Sequence, residues 1–276
     1  MHLNRKKITK SKLKISQRTG KKKKIEEISK IKPVKPVMRA NKRRGKISFS
    51  VLPLTNIKIN DKLRYRPLRS WNNLLKGETV FILGNAPSIV HEDLQLLNQY
   101  FTIGVNRIFY IYEPTVLIWQ DIQMWISEKK KLIRQKSIKV CSHISDPRNL
   151  FLNFKVKQSG FRMMEDMENL YGTGNTTALA CQIAINLGCS SIVLVGTDCE
   201  YGVGKKTDFY GKNKDHKPYT LDMCKEAMLW LREISPVPIY NCSKNKLWPR
   251  RKLSDVIQQL NPKKRNRKKY LEIFKI

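Results

Sequence analysis

Thr79-Val-Phe-Ile-Leu-Gly-Asn-Ala-Pro-Ser88 is the segment that decides the fold. Its first five residues are β-branched, aromatic or aliphatic, a composition typical of a buried strand. Gly84 then offers a residue free to adopt positive φ, Asn85 offers an amide side chain, and Ser88 begins a predicted helix. The segment has neither the GK[ST] of a Walker loop nor the GxGxxG of ordinary dinucleotide binding. It is typical of a loop that binds a phosphate or a nucleotide, and a simple strand-to-helix turn is the alternative.

Strands and helices alternate along the rest of the chain. The predicted strands are 79–83, 101–105, 115–119, 138–141, 151–156, 191–195 and 237–240, and the predicted helices are 88–97, 121–135, 176–187 and 221–233. This alternation is typical of a parallel sheet covered by helices on both faces. The expected fold is therefore α/β, a single Rossmann-like doubly wound and mostly parallel sheet.

The positive charge is unevenly distributed. The chain has 55 Lys and Arg against 22 Asp and Glu, a net charge of +33. Residues 1–50 hold 19 of these basic residues and two Glu, and residues 263–275 hold seven and one. Residues 1–46 have few aromatic residues to bury, so we expect a disordered basic arm, followed by a linker (47–69), the nucleotide-binding domain (70–262) and a basic C-terminal segment (263–276).

The arm favours an anionic partner, because releasing counterions from an anionic polymer, a nucleic acid or a membrane surface needs no folded structure. A solubilising tail without a partner is the alternative. The first 20 residues carry positive charge without an uninterrupted apolar stretch, which argues against a signal peptide. We therefore expect a cytoplasmic protein, with peripheral binding at an anionic surface left open. The six cysteines form no CxxC pair, so they are expected to be reduced and no metal site is predicted.

Three further loops follow predicted strands or precede a helix. They are Val105-Asn106-Arg107, Gly172-Thr-Gly-Asn-Thr-Thr177 and Gly196-Thr-Asp198. In a doubly wound sheet, ligands bind beyond the carboxyl ends of the strands, so these loops are expected to converge with the first. Asp198 either binds a metal-bound phosphate or caps a neighbouring loop.

The ordered motifs FILGNAPSI, FTIGVNRIFY, GTGNTTALACQIAINLG and IVLVGTDCEY resemble those of bacterial sialyltransferases that modify lipooligosaccharide. They are also similar to the motility accessory factors of flagellin glycosylation, and archaeal hydroxymethylpterin pyrophosphokinases share a similar core. The resemblance covers residues 78–245. It implies a glycosyltransferase that moves a sugar from a CMP- or UDP-type nucleotide-sugar donor to a hydroxyl of a glycan or protein. It implies no tightly bound cofactor, and it leaves Mg²⁺ and the oligomeric state open.

The same resemblance implies roles for individual residues. The donor phosphate would be held by the first loop, and ribose, base and sugar by later loops. These donor-binding residues are Gly84, Asn85, Ala86, Pro87, Ser88, Asn106, Gly174, Asn175, Thr176 and Asp198, with Ala86 standing where the sialyltransferases usually have glycine. His216 would be the general base, with Tyr201 and Tyr210 bonding the leaving phosphate. Only five residues separate Tyr210 from His216, so the lid of the sialyltransferases is largely missing.

Two other functions remain open at this level. One is a non-enzymatic structural or morphogenetic protein that binds an anionic partner through its arm. The other is a pterin-type diphosphotransferase that would use Asp198 with a metal. If the first loop binds phosphate, Gly84→Val is expected to abolish nucleotide binding in a protein that still folds.

Overall fold

The computed structural model describes residues 68–141, 151–152, 156–157, 169–171, 175–211 and 220–274. The predicted arm, the linker up to residue 67, Gly174 and His216 lie outside these residues, so the predicted domain boundaries stay predictions.

Short, mostly apolar runs form the strands. They are β1 (Thr79–Leu83), β2 (Phe101–Val105), β3 (Val116–Ile118), β4 (Ile138–Val140), β5 (Phe151–Leu152), β6 (Val156–Lys157), β7 (Leu170–Tyr171), β8 (Ser191–Val195) and β9 (Ile239–Asn241). The helices are α1 (Ile122–Arg134), α2 (Thr176–Asn186), α3 (Thr220–Ile234), α4 (Leu253–Leu260) and α5 (Arg267–Ile273). Short 3₁₀ helices span Leu68–Trp71, Pro87–His91, Leu94–Leu97, Asn106–Tyr110 and Val203–Lys205.

Seven strands form one sheet in the order β5-β4-β3-β2-β1-β8-β9, and every described pair in it is parallel. The chain winds outward from β1 to β5 on one side, then returns to place β8 beside β1 and β9 beyond it. Strands β6 and β7 form a separate parallel pair. The predicted α/β class with a mostly parallel sheet is confirmed, and the strand order reverses between β1 and β8.

Side chains that alternate along β1 pack into two cores, one on each face of the sheet. Val80 and Ile82 lie in the core that also contains residues of α2, α3 and α5. Phe81 and Leu83 lie in the other core, with residues of α1 and α4. Helices therefore cover both faces, which explains why the central strands are apolar without alternation.

The helix predicted over 88–97 is wrong. Two 3₁₀ helices occupy this stretch, separated by Glu92 and Asp93, which are both extended. The backbone N–H and the hydroxyl of Ser88 both bind Asp198, and Asp93 caps the second 3₁₀ helix by accepting from the Gln95 N–H. These contacts hold the chain in two short turns.

The C-terminal segment contains a helix that its charge obscures. Tyr270 of α5 and Phe274, the residue that follows α5, are both buried, and the Tyr270 ring packs on Phe101 with centroids 5.3 Å apart. Phe274 packs on Trp71, with centroids 4.6 Å apart. The strand predicted over 151–156 is divided between β5 and β6, which belong to different sheets. Within the described part of the chain, no helix has both the length and the apolar character of a membrane span.

Candidate functional site

A cleft of about 140 Å³ lies beyond the carboxyl ends of β1, β2 and β8, where the strand order reverses. All four predicted loops contribute to its walls. The predicted site residues that line it are Gly84, Asn85, Ala86, Asn106, Asn175, Thr176 and Asp198. Residues that are far apart in the sequence are therefore brought together as the strand-end argument expects.

Four other lining residues belong to the predicted loops: Val105, Thr177, Gly196 and Thr197. The lining also includes residues that sequence reasoning missed, namely Cys199, Glu200, Thr207, Asp208, Thr220, Leu221, Cys224 and Met228. Asp208 is the most informative of these because it is an acid only 7% exposed. Its segment is attached to the first loop by the Phe209 N–H, which donates to the Asn85 carbonyl at 2.7 Å. No sequence pattern predicts that Asp208 lies at the cleft, since it is 13 residues beyond the end of β8.

The backbone of the first loop is bound to the protein at three positions. The Gly84 N–H donates to the Val195 carbonyl at 2.8 Å, and the Ala86 N–H donates to the Gly196 carbonyl at 2.9 Å. The Ser88 N–H donates to Asp198 Oδ2 at 3.1 Å. These three groups are not available to a phosphate, and Pro87 has no N–H to offer.

Gly84 is required for a reason other than the expected positive φ. The glycines with positive φ in the described chain include Gly77 and Gly196 but not Gly84. A Cβ added at Gly84 would lie 2.0 Å from the carbonyl oxygen of Gly196. The missing side chain lets the ends of β1 and β8 approach each other, so Gly84→Val would disturb the fold and does not serve as a test of binding.

Asn85 lines the cleft, and its side chain holds an oxygen that is unpaired among the described residues. Its Nδ2 donates to the Val105 carbonyl at 2.9 Å, which fixes the orientation of the amide. Its Oδ1 is buried and has no hydrogen-bond partner among the described residues. An unpaired buried oxygen costs about 1–3 kcal/mol, and a ligand N–H or O–H would recover this energy.

Asn106 stands at the end of β2 in the left-handed region, with φ of +48°. Among residues other than glycine, asparagine tolerates this conformation best, but it still costs about 1 kcal/mol or more. Backbone strain of this kind concentrates at functional sites. The conformation places Asn106 on the wall of the cleft.

Asp198 holds three segments of chain together. Its buried carboxylate accepts from the N–H and hydroxyl of Ser88 and, at 2.9 Å, from the N–H of Lys244. Of the two roles considered for Asp198, the structure shows the loop cap. Among the described residues, no group of three or more His, Cys, Asp or Glu side chains could hold a metal ion.

Asn175 caps helix α2. Its Oδ1 accepts from the N–H groups of Thr177 at 2.8 Å and Ala178 at 3.3 Å, as expected of an N-cap asparagine. Its Nδ2 donates to the Cys224 carbonyl at 3.1 Å, so the residue also joins α2 to α3. Thr176 Oγ1 accepts from Gln120 Nε2 at 3.0 Å. Both side chains thus form the wall of the cleft.

The two predicted tyrosines have different surroundings. Tyr210 hydrogen-bonds to Arg107 and Asp208, and the Arg107 guanidinium lies 5.6 Å from its ring centroid. Burial, followed by the negative charge of Asp208, raises the pKa of Tyr210 to about 12, so the phenol keeps its proton at neutral pH. Tyr201 is 49% exposed. Neither tyrosine lines the cleft. Tyr210 is hydrogen-bonded to Asp208, and Asp208 lines the cleft.

Arg107 is fixed from the side opposite Tyr210. Its Nε lies 3.3 Å from Glu128 Oε1, and the Tyr110 hydroxyl donates to the same oxygen. Lys131 Nζ is 3.2 Å from Glu128 Oε2. Burial opposes ionisation of Glu128, but hydrogen bonds from Tyr110, Lys131 and Arg107 outweigh it and lower the pKa of the carboxyl. The ionised Glu128 therefore holds Arg107 against Tyr210.

No family model and no curated protein matches this chain. Among solved structures, the chain is similar to MAf glycosyltransferase from Magnetospirillum magneticum AMB-1, with a TM-score of 0.48 and 14% identity over 75% of this chain. It spans 40% of the length of that protein.

The chain is also similar to the sialyltransferase CstII from Campylobacter jejuni in complex with cytidine-5'-monophosphate. The TM-score is 0.39 and the identity 16%, over 62% of this chain and 82% of the other. For the apo form of an alpha-2,3-sialyltransferase from Campylobacter jejuni, the TM-score is 0.33 and the identity 20%, over 60% and 75% of the two chains.

Proposed function

We propose that this chain transfers a sugar from a nucleotide-sugar donor to a hydroxyl of a glycan or protein. The observation that carries the proposal is the cleft, because loops from four separate parts of the sequence meet where the strand order reverses. In open parallel sheets this crevice is where nucleotides bind. The motifs that resemble sialyltransferases are the ones that supply these loops.

The cleft offers recognition through side chains more than through the backbone of the first loop. Asn85 lines the cleft, and its Oδ1 is an unpaired acceptor whose chemistry suits a ribose hydroxyl or an exocyclic amino group of the base. Asn106 stands beside it at the end of β2, held in the strained conformation that directs it to the cleft. The proposed nucleotide thus lies across the ends of β1 and β2.

The proposed transfer step uses His216 and Tyr210. The acceptor oxygen attacks the anomeric carbon of the donor, the bond from that carbon to the phosphate oxygen breaks, and His216 takes the acceptor proton. Tyr210 has one hydroxyl proton, which the Asp208 carboxylate accepts in the free protein; in the proposed step this proton turns from Asp208 to the phosphate as the negative charge of the phosphate grows. Tyr201 is the proposed second donor.

Pterin-type diphosphotransfer fits the site less well. That function would use Asp198 to hold a metal-bound phosphate. In the structure the carboxylate of Asp198 already accepts from Ser88 and Lys244. Sugar transfer needs no metal ligand at this position, and Mg²⁺ remains optional.

Binding is tested by thermal shift with CMP, UDP, GDP and their sugar conjugates, because a ligand of the folded state raises the melting temperature. The informative variant is Asn106→Gly, which removes the side chain and relieves the positive φ. Its matched control is Asn73→Gly, since Asn73 has φ of +58° but is exposed and precedes β1, at the opposite end of the sheet.

We expect both variants to be at least as stable as the wild type. Asn106→Gly should weaken nucleotide binding by about tenfold or more, as for loss of a good hydrogen bond, while Asn73→Gly binds normally. Equal affinity in the two variants would remove Asn106 from the site. If no nucleotide stabilises the wild type, the result favours the alternative of a non-enzymatic structural or morphogenetic protein.

The chemical step is tested by release of nucleotide from the donor that binds. His216→Ala should lower turnover by about a hundredfold while the thermal shift with nucleotide persists, because a general base contributes to turnover and little to donor binding. Turnover near the wild-type value would exclude His216 as the base.

A further inference from the structure

The last described segment crosses the sheet at the edge opposite the cleft. The Arg265 N–H donates to the carbonyl of Gln99, just before β2, at 2.7 Å. The guanidinium of Arg265 lies 2.8 Å from Glu78, the residue before β1. The segment therefore runs along the amino ends of the strands, while the cleft lies at their carboxyl ends.

Arg267 continues this attachment toward β3 and β4. Its Nη1 bonds Glu113 at 2.7 Å, and its Nη2 donates to the Pro114 carbonyl at 2.9 Å. The same Nη2 lies 3.2 Å from the hydroxyl of Ser137, the residue before β4. Together with the buried Tyr270 and Phe274, the two arginines fix the segment as part of the folded sheet edge.

The lysines of this segment, unlike its arginines, are exposed to solvent. Lys263, Lys264, Lys268 and Lys269 are all exposed, as are Lys76 and Lys136, which precede β1 and β4 on the same edge. The carboxylates of Glu78 and Glu113 are engaged by the arginines. The exposed carboxylates at this edge include Glu233 and Glu272. Six exposed ammonium groups thus share one end of the domain.

We propose that this lysine edge, defined by Lys76, Lys136, Lys263, Lys264, Lys268 and Lys269, docks on the surface of an anionic lipid bilayer. Clusters of four to eight basic residues on an amphipathic helix are typical of binding to anionic lipids, and the lysine edge gathers six lysines on α5 and on the segments that precede α5, β1 and β4. The lysine edge belongs to the folded domain and is separate from the basic residues 1–46 that precede it in the sequence.

Within residues 263–269, the different contacts of the arginines and the lysines favour lipid over nucleic acid. Arginine is the residue that reads phosphates and bases through paired hydrogen bonds. In this segment, Arg265 and Arg267 already bind carboxylates and a carbonyl of the protein itself. The lysines left outside act as point charges, which suffices for a surface of mobile headgroups. Docking at this edge leaves the cleft facing away from the membrane.

The test uses the full chain with vesicles of phosphatidylcholine, with or without phosphatidylserine. Lysines are acetylated with and without vesicles and the modified sites are read by mass spectrometry. The six lysines of the edge should be protected by phosphatidylserine. Four exposed lysines elsewhere, Lys130, Lys205, Lys206 and Lys225, should be modified as in the free protein.

Two matched variants measure how much the lysine edge contributes to the affinity for vesicles. Changing Lys263, Lys264, Lys268 and Lys269 to glutamine should lower partitioning onto phosphatidylserine vesicles by at least about tenfold, since each lysine near such a surface contributes about fivefold. Changing the four control lysines to glutamine removes the same charge and should lower it much less. All eight side chains are exposed, so both variants should keep the wild-type melting temperature.

Three outcomes would overturn the proposal. The first is protection confined to residues 1–46. The second is an equal loss of binding in the two variants, which would mean that net charge alone matters. The third is protection of the lysine edge by duplex DNA but not by phosphatidylserine vesicles at the same salt concentration, which would assign the edge to nucleic acid.

Discussion

Gly84→Ala tests whether the first loop depends on the close approach of β1 and β8. The added Cβ would lie 2.0 Å from the carbonyl oxygen of Gly196 and 2.9 Å from Thr197 Cγ2. Ordinary contact begins at 3.4 Å, so the two strand ends must separate by more than an ångström. The nearest obstacle is backbone, which cannot turn aside as a flexible side chain would.

The magnitude follows from what that separation disrupts. Forcing an extra carbon into a well-packed site costs about 1–3 kcal/mol. The hydrogen bonds from Gly84 to Val195 and from Ala86 to Gly196 lie on either side of the contact, and each contributes about 1 kcal/mol. We therefore expect Gly84→Ala to lower the free energy of unfolding by about 3–5 kcal/mol, a large part of the stability of an ordinary domain.

Urea unfolding measures the effect, with the slope of the transition checking that the exposed surface is unchanged. Gly77→Ala is the matched control. Gly77 has φ of +78°, and a Cβ there would meet nothing within 4 Å, so this variant should lose only the cost of the left-handed conformation, about 1–2 kcal/mol. A loss at Gly84 no greater than that at Gly77 would refute the close-approach explanation.

Asp198→Asn should lower the free energy of unfolding by about 2–4 kcal/mol in urea, because three donors lose a carboxylate; lost nucleotide affinity at unchanged stability would instead indicate a ligand-binding role. Burial lowers the pKa of Lys139 to about 8, so the wild type should gain about 2 kcal/mol of stability as pH rises from 8 towards 10.5, and Lys139→Met should abolish the gain. A flat wild-type profile would contradict this. Deleting residues 1–46 should leave the melting temperature and nucleotide affinity unchanged, and unfolding of the truncated chain would show that these residues pack on the domain.

The central strands were predictable because a strand that is buried on both faces is a continuous run of apolar residues. β1, β2 and β8 have the predicted limits, since each is an apolar run with every residue buried. The helix predicted after β1 was wrong because its first turn is decided by Asp198, 110 residues away in the sequence. Local pattern carries no information about such a partner.

The candidate site divides in the same way. Loops could be placed at one edge from strand ends alone, but side-chain orientation depends on contacts between distant segments. Asn175 resembles a ligand residue in the motif, yet its Oδ1 caps α2. Asp208 was missed because the Phe209–Asn85 bond that brings it to the cleft has no local signature. Helix α5 did have a local signature, because Tyr270 and Phe274 are four residues apart, but the many charged residues around them concealed it.

The reversal of strand order also governs when the sheet can be completed during synthesis. β1 lies between β2 and β8, but β8 begins only at Ser191. A ribosome adding residues at ordinary speed needs roughly 5–20 s to make the intervening chain. During that interval β1 offers an unpaired backbone edge beside one of the most apolar runs of the nascent chain, the kind of edge that promotes aggregation. A message truncated before residue 191 would therefore yield a product that sticks to other chains, because the partner that closes β1 is never made.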